Sequence, residues 1–273
     1  MEGDFMKTYQ VLLLLLIFTL SLIVLPDSIL AQGSQNSSPR PSSNIGTSRK
    51  KGGRAAFVGG SFSLGFGVSL LTAEQNGLNN MIAFAKASAP GGGVTTGELN
   101  SGNEIIGQFT FHFANRFVAL QFRPAYFTQA ATGSGSDGSY NYTLTGFSFF
   151  PMIRIVPLSN DIIDFYLQAG LGYGQLQGDI TNGPRNSSFI GSGFGTQIGL
   201  GADFCFFPEH CFGLEGNYRY LPVTRSIVRN STSPAPYGAS QSVSGRELED
   251  LSANDVGTTM SGISANLNYT YHF

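Results

Sequence analysis

The sequence predicts an all-β chain: an eight-stranded antiparallel transmembrane β-barrel with short periplasmic turns and long extracellular loops. Three observations carry this. Eight segments between 55 and 273 alternate apolar and polar residues with the period of two that belongs to a strand. The connections between these segments alternate strictly between short and long. Charged residues make up 12% of the chain, about half the roughly 25% usual in soluble domains, yet mean hydropathy is only +0.04. A helical membrane protein would need several long apolar runs, and there is one, near the N-terminus. A barrel conceals its apolar face by alternation.

The N-terminal run, Val11 to Leu25, is apolar except for Thr19 and Ser21. At about 15 residues it is shorter than the roughly 20 that a spanning helix needs. Lys7 precedes it, Pro26-Asp27 breaks it, and Ser28-Ile29-Leu30-Ala31 offers a small residue at a cleavage point before Gln32. Residues 1–31 are therefore expected to be a cleavable signal peptide; the alternative is an uncleaved anchor helix. Glu2 and Asp4 are unusual in a signal n-region and make Met6 a candidate start. No Cys lies near the cleavage point, which speaks against lipoprotein anchoring. Residues 32–54 are rich in Ser, Asn, Pro and Gly and have no hydrophobic period, as in a disordered periplasmic linker. Its basic end, Arg49-Lys50-Lys51 with Arg54, is a solvated tail or a contact to lipid phosphates or cell-wall material.

The barrel occupies 55–273. Strand one, Ala56 to Leu70, sets Phe62, Leu64, Phe66, Val68 and Leu70 against Ser and Gly. Strand two, Ile105 to Phe113, sets Phe109, Phe111 and Phe113 against Gln108, Thr110 and His112. Strand three, Phe117 to Phe127, sets Leu120, Phe122 and Tyr126 against Gln121 and Arg123. Strand four, Tyr140 to Val156, changes parity near Gly146, which predicts a bulge. Beyond it Phe147, Phe149, Ile153 and Ile155 oppose Ser148 and Arg154. Strands five (Ile163 to Leu176), six (Phe194 to Phe206), seven (Cys211 to Leu221) and eight (Thr258 to Phe273) continue the pattern. Each spans about 9–11 residues, enough to cross a bilayer at a tilt. With 23 Phe, 11 Tyr and no Trp, Phe and Tyr must supply any interfacial girdle, while Gly fills crowded lumen positions.

The turns 114–116, 157–162 and 207–210 are short, and the loops 72–104, 128–139, 177–193 and 222–257 are long. From a periplasmic N-terminus, every long loop falls outside the cell and every short turn inside. A soluble lipocalin-like barrel would turn its apolar face inward. Here the Gly/Ser/Thr/Gln face is too small and polar for a dry core, so it is read as the lumen.

The chain ends Leu267-Asn268-Tyr269-Thr270-Tyr271-His272-Phe273, with Leu267, Tyr269, Tyr271 and Phe273 on one face. This ending resembles the C-terminal assembly signal of bacterial outer-membrane barrels. With the loop pattern, residues from about 55 onward resemble the small eight-stranded barrels typified by the OmpA transmembrane domain, OmpX and OmpW. The resemblance implies insertion by the barrel-assembly machinery into the outer membrane of a diderm bacterium. It also implies contact with outer-membrane lipids and lipopolysaccharide, and a monomer.

Candidate site residues follow from parity. Arg123, Arg154, Asp203, Glu215 and Arg219 fall on the lumen face. Confined opposite charges should pair, giving a salt-bridge plug; the alternative is a gated polar pathway, a narrow channel for small molecules resembling OmpW. Cys205 and Cys211 share lumen parity across the turn between strands six and seven, which predicts a disulfide in an oxidising compartment. A metal held by both with His210 would have three ligands at poor spacing, so no metal site is expected. No cofactor is expected, and the net charge of −2 argues against a nucleic-acid partner. His112, His210 and His272 are all placed near the periplasmic end, which leaves a Ser–His–Asp arrangement at the outer face without a histidine. Glu247, Glu249, Asp250 and Asp255 in the last loop leave only carboxylate chemistry, and the chain is not expected to be an enzyme. The loops 72–104 and 222–257 are the candidate surfaces for an extracellular ligand, the alternative being variable loops without one.

Overall fold

In the computed structural model, period-two alternation becomes a closed ring of strands. The structure describes residues 61–273 apart from 114–116, 161, 208 and 240–242. The expected signal peptide (1–31), the linker (32–54), the start of the first strand and the 114–116 turn lie outside the described residues. The ring consists of β1 (Ser61–Leu71), β2 (Gly102–His112), β3 (Val118–Gly135), β4 (Gly138–Ser159), β5 (Ile163–Asn182), β6 (Arg185–Phe207), β7 (His210–Tyr220) and β11 (Gly262–His272). Each pairs antiparallel with its neighbours in the order β5-β4-β3-β2-β1-β11-β7-β6, and β5–β6 pairing closes it. Three short strands, β8 (Pro222–Val223), β9 (Arg225–Ser231) and β10 (Thr258–Thr259), decorate the loop end; β9 pairs with the start of β6, and β8 with β10. Helix α1 (Asn76–Ser88) lies in the loop between β1 and β2. No helix among the described residues is long and apolar enough to cross a membrane.

The strands are unequal. β1, β2, β7 and β11 have 11 residues each, whereas β3 to β6 run from 18 to 23. Two of the expected long loops are therefore not loops: 128–139 and 177–193 are the upper parts of the β3–β4 and β5–β6 hairpins, paired to their tips at Gly135↔Gly138 and Asn182↔Arg185. The expected bulge at Gly146 is also absent. β3 and β4 stay in register from Val118↔Ile155 to Gly135↔Gly138, and buried positions on β4 continue at every second residue from Tyr140 to Arg154. The irregularity of β4 falls instead between Ile155 and Leu158, against β5.

What changes near Gly146 is the environment. Below it, Phe147, Phe149 and Ile153 are exposed on the outer face; above it, Thr145, Thr143 and Asn141 take that face, while Leu144, Tyr142 and Tyr140 point in. The same switch occurs at Tyr126/Thr128 on β3, Tyr173/Gln175 on β5 and Phe194/Ser192 on β6. These positions are neighbours in the sheet: Tyr126 pairs with Phe147, and Tyr173 with both Phe149 and Phe194. The apolar belt ends at one level around this side of the barrel, on a row of aromatic rings. The short strands stop near that level, with Leu70, Tyr220 and Ile263 exposed. From Phe147 to Ile155 the belt spans roughly 20 Å along the barrel axis, taking about 3.4 Å per residue and a tilt near 40°, close to the apolar band of a membrane barrel.

Candidate functional site

The lumen holds two layers of side chains of different chemistry. At the waist, inward side chains from β2, β3, β4, β6 and β7 form ion pairs. Arg123 pairs with Glu215. Arg154 lies 3.1 Å from Asp203 and 3.9 Å from Glu215, and its guanidinium stacks 3.7 Å over the Tyr166 ring. Tyr166 O–H donates to Glu215 Oε2 at 3.0 Å, and the amides of Asn217 and Asn266 donate to Oε1 at 2.6 and 2.7 Å. Arg219 pairs with Glu104 at 2.7 Å and donates from Nε to the Met260 carbonyl at 2.6 Å. Three guanidiniums thus meet three carboxylates, and Glu215, at 4% exposure, is the point on which two of them converge.

All five lumen charges expected from the sequence lie in this layer. Glu104 was missed because strand two was begun at Ile105; carrying the alternation of Gln108 and Thr110 back through Ile106 reaches it.

Above the waist the lumen is apolar, contrary to the expectation that the inward face is too small and polar for a dry core. Met152 and Phe150 begin this layer, lying over Gly170 and Gly172, where no Cβ would fit. Phe127, Tyr142, Leu144, Leu176 and Phe189 continue it upward and pack with Leu78, Met81 and Ile82 of α1 and with Leu248 and Val256 of the last loop. The loop face thus carries a dry core, as a soluble barrel would. Gln75, fully buried just before α1, donates to the Gln129 side chain at 3.0 Å and to the Thr259 carbonyl at 2.7 Å, and accepts from Thr259 N–H at 3.0 Å. One amide thus joins the start of the helix to β3 and β10.

The loop face also carries an open cavity of about 570 Å³ between α1 and the last loop. Phe84, Pro234, Pro236, Tyr237, Val243 and Leu251 supply apolar walls; Ser231, Thr232, Ser233 and Ser244 supply hydroxyls. Val243 and Leu251 are the large apolar side chains exposed on the loops among the described residues, and both line it. Arg185 stacks its guanidinium 4.1 Å over the Tyr237 ring at the cavity wall. The acidic residues of this loop have local roles. Glu247 pairs with Arg225. Asp250 accepts from the backbone N–H groups of Asn254 and Ser252, at 3.0 and 2.8 Å. The bonds from Asn254 first, then Ser252, hold its carboxyl below the ordinary range.

At the turn end, Cys205 and Cys211 sit opposite one another in register and are joined by a disulfide. The rings of His112 and His272 lie side by side, tilted, with centroids 5.7 Å apart, and His210 Nδ1 lies 2.6 Å from the Tyr269 hydroxyl. All three histidines are thus at the opposite end from the acidic loop. Leu267, Tyr269 and Tyr271 lie on the outer face of β11 in register with Val68, Phe66 and Leu64 of β1, and Phe273 packs 5.8 Å from the Phe62 ring.

No family model matches this chain, and no curated protein matches it. Among solved structures, the chain is similar to the outer membrane protein OprG from Pseudomonas aeruginosa, with 14% identity over 79% of this chain and 96% of that one, at a TM-score of 0.53. It also aligns with Ail, the attachment invasion locus protein of Yersinia pestis, at 12% identity over 78% of this chain and 97% of that one, with a TM-score of 0.35. The Ail structure in complex with the heparin analogue sucrose octasulfate aligns at 12% identity and a TM-score of 0.39. The OprG likeness establishes the fold, a small outer-membrane-type barrel.

Proposed function

We propose that this chain is an integral outer-membrane barrel with a sealed lumen, whose role is interaction at the cell surface rather than passage or catalysis. The observation that carries this is the inversion of sidedness along β3 to β6. The outer face is apolar along one stretch of barrel and polar above it, while the inner face goes from ion-paired to dry. A lipid belt with a folded platform above it accounts for both halves. On this reading residues 1–31 direct export, Leu267, Tyr269, Tyr271 and Phe273 are read by the barrel-assembly machinery, and the monomer contacts outer-membrane lipids and lipopolysaccharide.

The interaction site we assign is the cavity between α1 and the last loop, and its ligand is a small anion with an apolar body. Arg185 lies stacked on Tyr237, leaving N–H edges for a carboxylate or sulfonate, and Val243 and Leu251 are walls in want of an apolar partner.

Two measurements test this. Refolded protein from Gln32 onward, shown separately to be inserted, should be silent in a planar bilayer; reproducible conductance steps would overturn the seal. Because the chain has no Trp, Leu251→Trp provides a single donor at the cavity for energy transfer to 8-anilinonaphthalene-1-sulfonate. Saturable transfer is expected, weakened about tenfold or more by Arg185→Gln. Transfer indifferent to Arg185 would remove the site.

A further inference from the structure

The turn end of the lumen gathers four inward side chains from four strands. Cys205 of β6 and Cys211 of β7 face each other with Cα atoms 4.0 Å apart. His272 of β11 brings a ring nitrogen within 4.8 Å of both sulfurs. The His112 ring of β2 lies beside that of His272, with Ser63 of β1 at 3.5 Å from its Nε2. The residue next to the cysteines in sequence, His210, has the opposite parity and turns to Tyr269 instead. It is the ring's closure, which lays β11 against β7, that replaces His210 by His272.

We propose that this rim is a redox-gated metal site: once the disulfide is reduced, Cys205, Cys211 and His272 take up a thiophilic divalent cation, with His112, whose ring lies beside that of His272, as candidate fourth ligand. Two thiolates and one or two imidazoles are a donor set for Zn²⁺ rather than for Mg²⁺ or Ca²⁺. A dithiol reductant supplies the first step: the disulfide takes two electrons and two protons to become two thiols, and the dithiol becomes a disulfide. Cation binding then displaces the two thiol protons into solvent, leaving two thiolates and a neutral imidazole on the metal. Tetrahedral Zn–S bonds of about 2.3 Å would set the sulfurs roughly 3.8 Å apart, a separation that two directly opposed cysteines reach by side-chain rotation. The consequence is a change in which strands are tied. The disulfide links only β6 to β7, whereas the metal adds the C-terminal strand β11 and, through His112, β2.

The test uses the mature chain, folded in lipid while oxidised, then reduced with dithiothreitol and freed of it anaerobically. Co²⁺ is the probe, because thiolate ligation gives a charge-transfer band and tetrahedral geometry gives strong visible bands. About one Co²⁺ per reduced chain is expected, displaced by Zn²⁺, with no such bands from the oxidised protein. Cys205→Ser should abolish the charge-transfer band, His272→Ala should weaken affinity at least tenfold, and His210→Ala should leave it unchanged. Absence of binding, binding indifferent to His272, or loss of the barrel's β-sheet circular dichroism on reduction would each overturn the proposal, since the site requires β6, β7 and β11 held in register.

Discussion

Glu215 shows what a single residue carries here. Its carboxylate serves Arg123 and Arg154 and accepts from Tyr166, Asn217 and Asn266, all in a confined lumen. Removing one partner from such a network leaves an uncompensated buried charge, worth about 3–5 kcal/mol. Glu215→Ala should therefore lower barrel stability by that order in urea unfolding from lipid vesicles. Arg123→Leu with Glu215→Leu should cost clearly less than the two single changes summed; strict additivity would mean that the pair is not coupled. The presence of five of these charges in the lumen was legible from parity alone. Their partners were not. Arg123 and Glu215 lie on β3 and β7, across the ring, and which inward residues share a level depends on strand stagger, which local alternation does not encode.

Among the elements, α1 packs its apolar face on the core at the loop end. Leu78, Met81, Ile82 and Ala85 are its buried face, at helical spacing, while Lys86 and Asn80 face out. Met81→Ala or Ile82→Ala should destabilise by about 2–5 kcal/mol, whereas Asn80→Ala should do little. If the ion pairs alone seal the lumen, as proposed, deleting α1 should leave the barrel silent in a planar bilayer while the ion-pair layer remains. Conductance should appear only when Arg123 and Glu215 are also replaced by Ser. Steps from the helix deletion alone would show that the waist is not a seal. The apolar stretch Leu78 to Phe84 is legible in the sequence, either as a short helix over the barrel mouth or as an exposed binding patch. The β3–β4 and β5–β6 hairpins above the belt were not: their Gly, Ser and Thr content reads as loop, and only cross-strand pairing with an equally polar partner makes them strand.

At the scale of the whole molecule, one continuous backbone serves two solvents. On β4 the apolar residues move from odd to even positions at Gly146, and a period-two reading takes that for an inserted residue. The register excludes an insertion: Phe127↔Gly146 is flanked by unbroken pairs on both sides. The pleat is unchanged, and the outer face changes from apolar to polar side chains, as a passage from hydrocarbon to water would require. On the proposed reading, a parity flip without a register shift marks the upper membrane boundary, between Phe147 and Thr145. This gives a direct test, because the chain lacks Trp and each introduced Trp reports alone. Phe149→Trp and Phe147→Trp should be quenched by lipids brominated on their acyl chains, the former more strongly. Thr143→Trp and Asn141→Trp, on the same face of the same strand, should escape that quenching and yield to aqueous iodide. On β5, Tyr173→Trp and Gln177→Trp should divide in the same way, because Tyr173 pairs with Phe149 and Gln177 with Thr145. A boundary at different levels on the two strands would mean that the belt does not follow the bilayer, and quenching of Thr143→Trp by brominated chains would place the hairpins within the membrane. In that case the dry core beneath them would have no aqueous face to account for it.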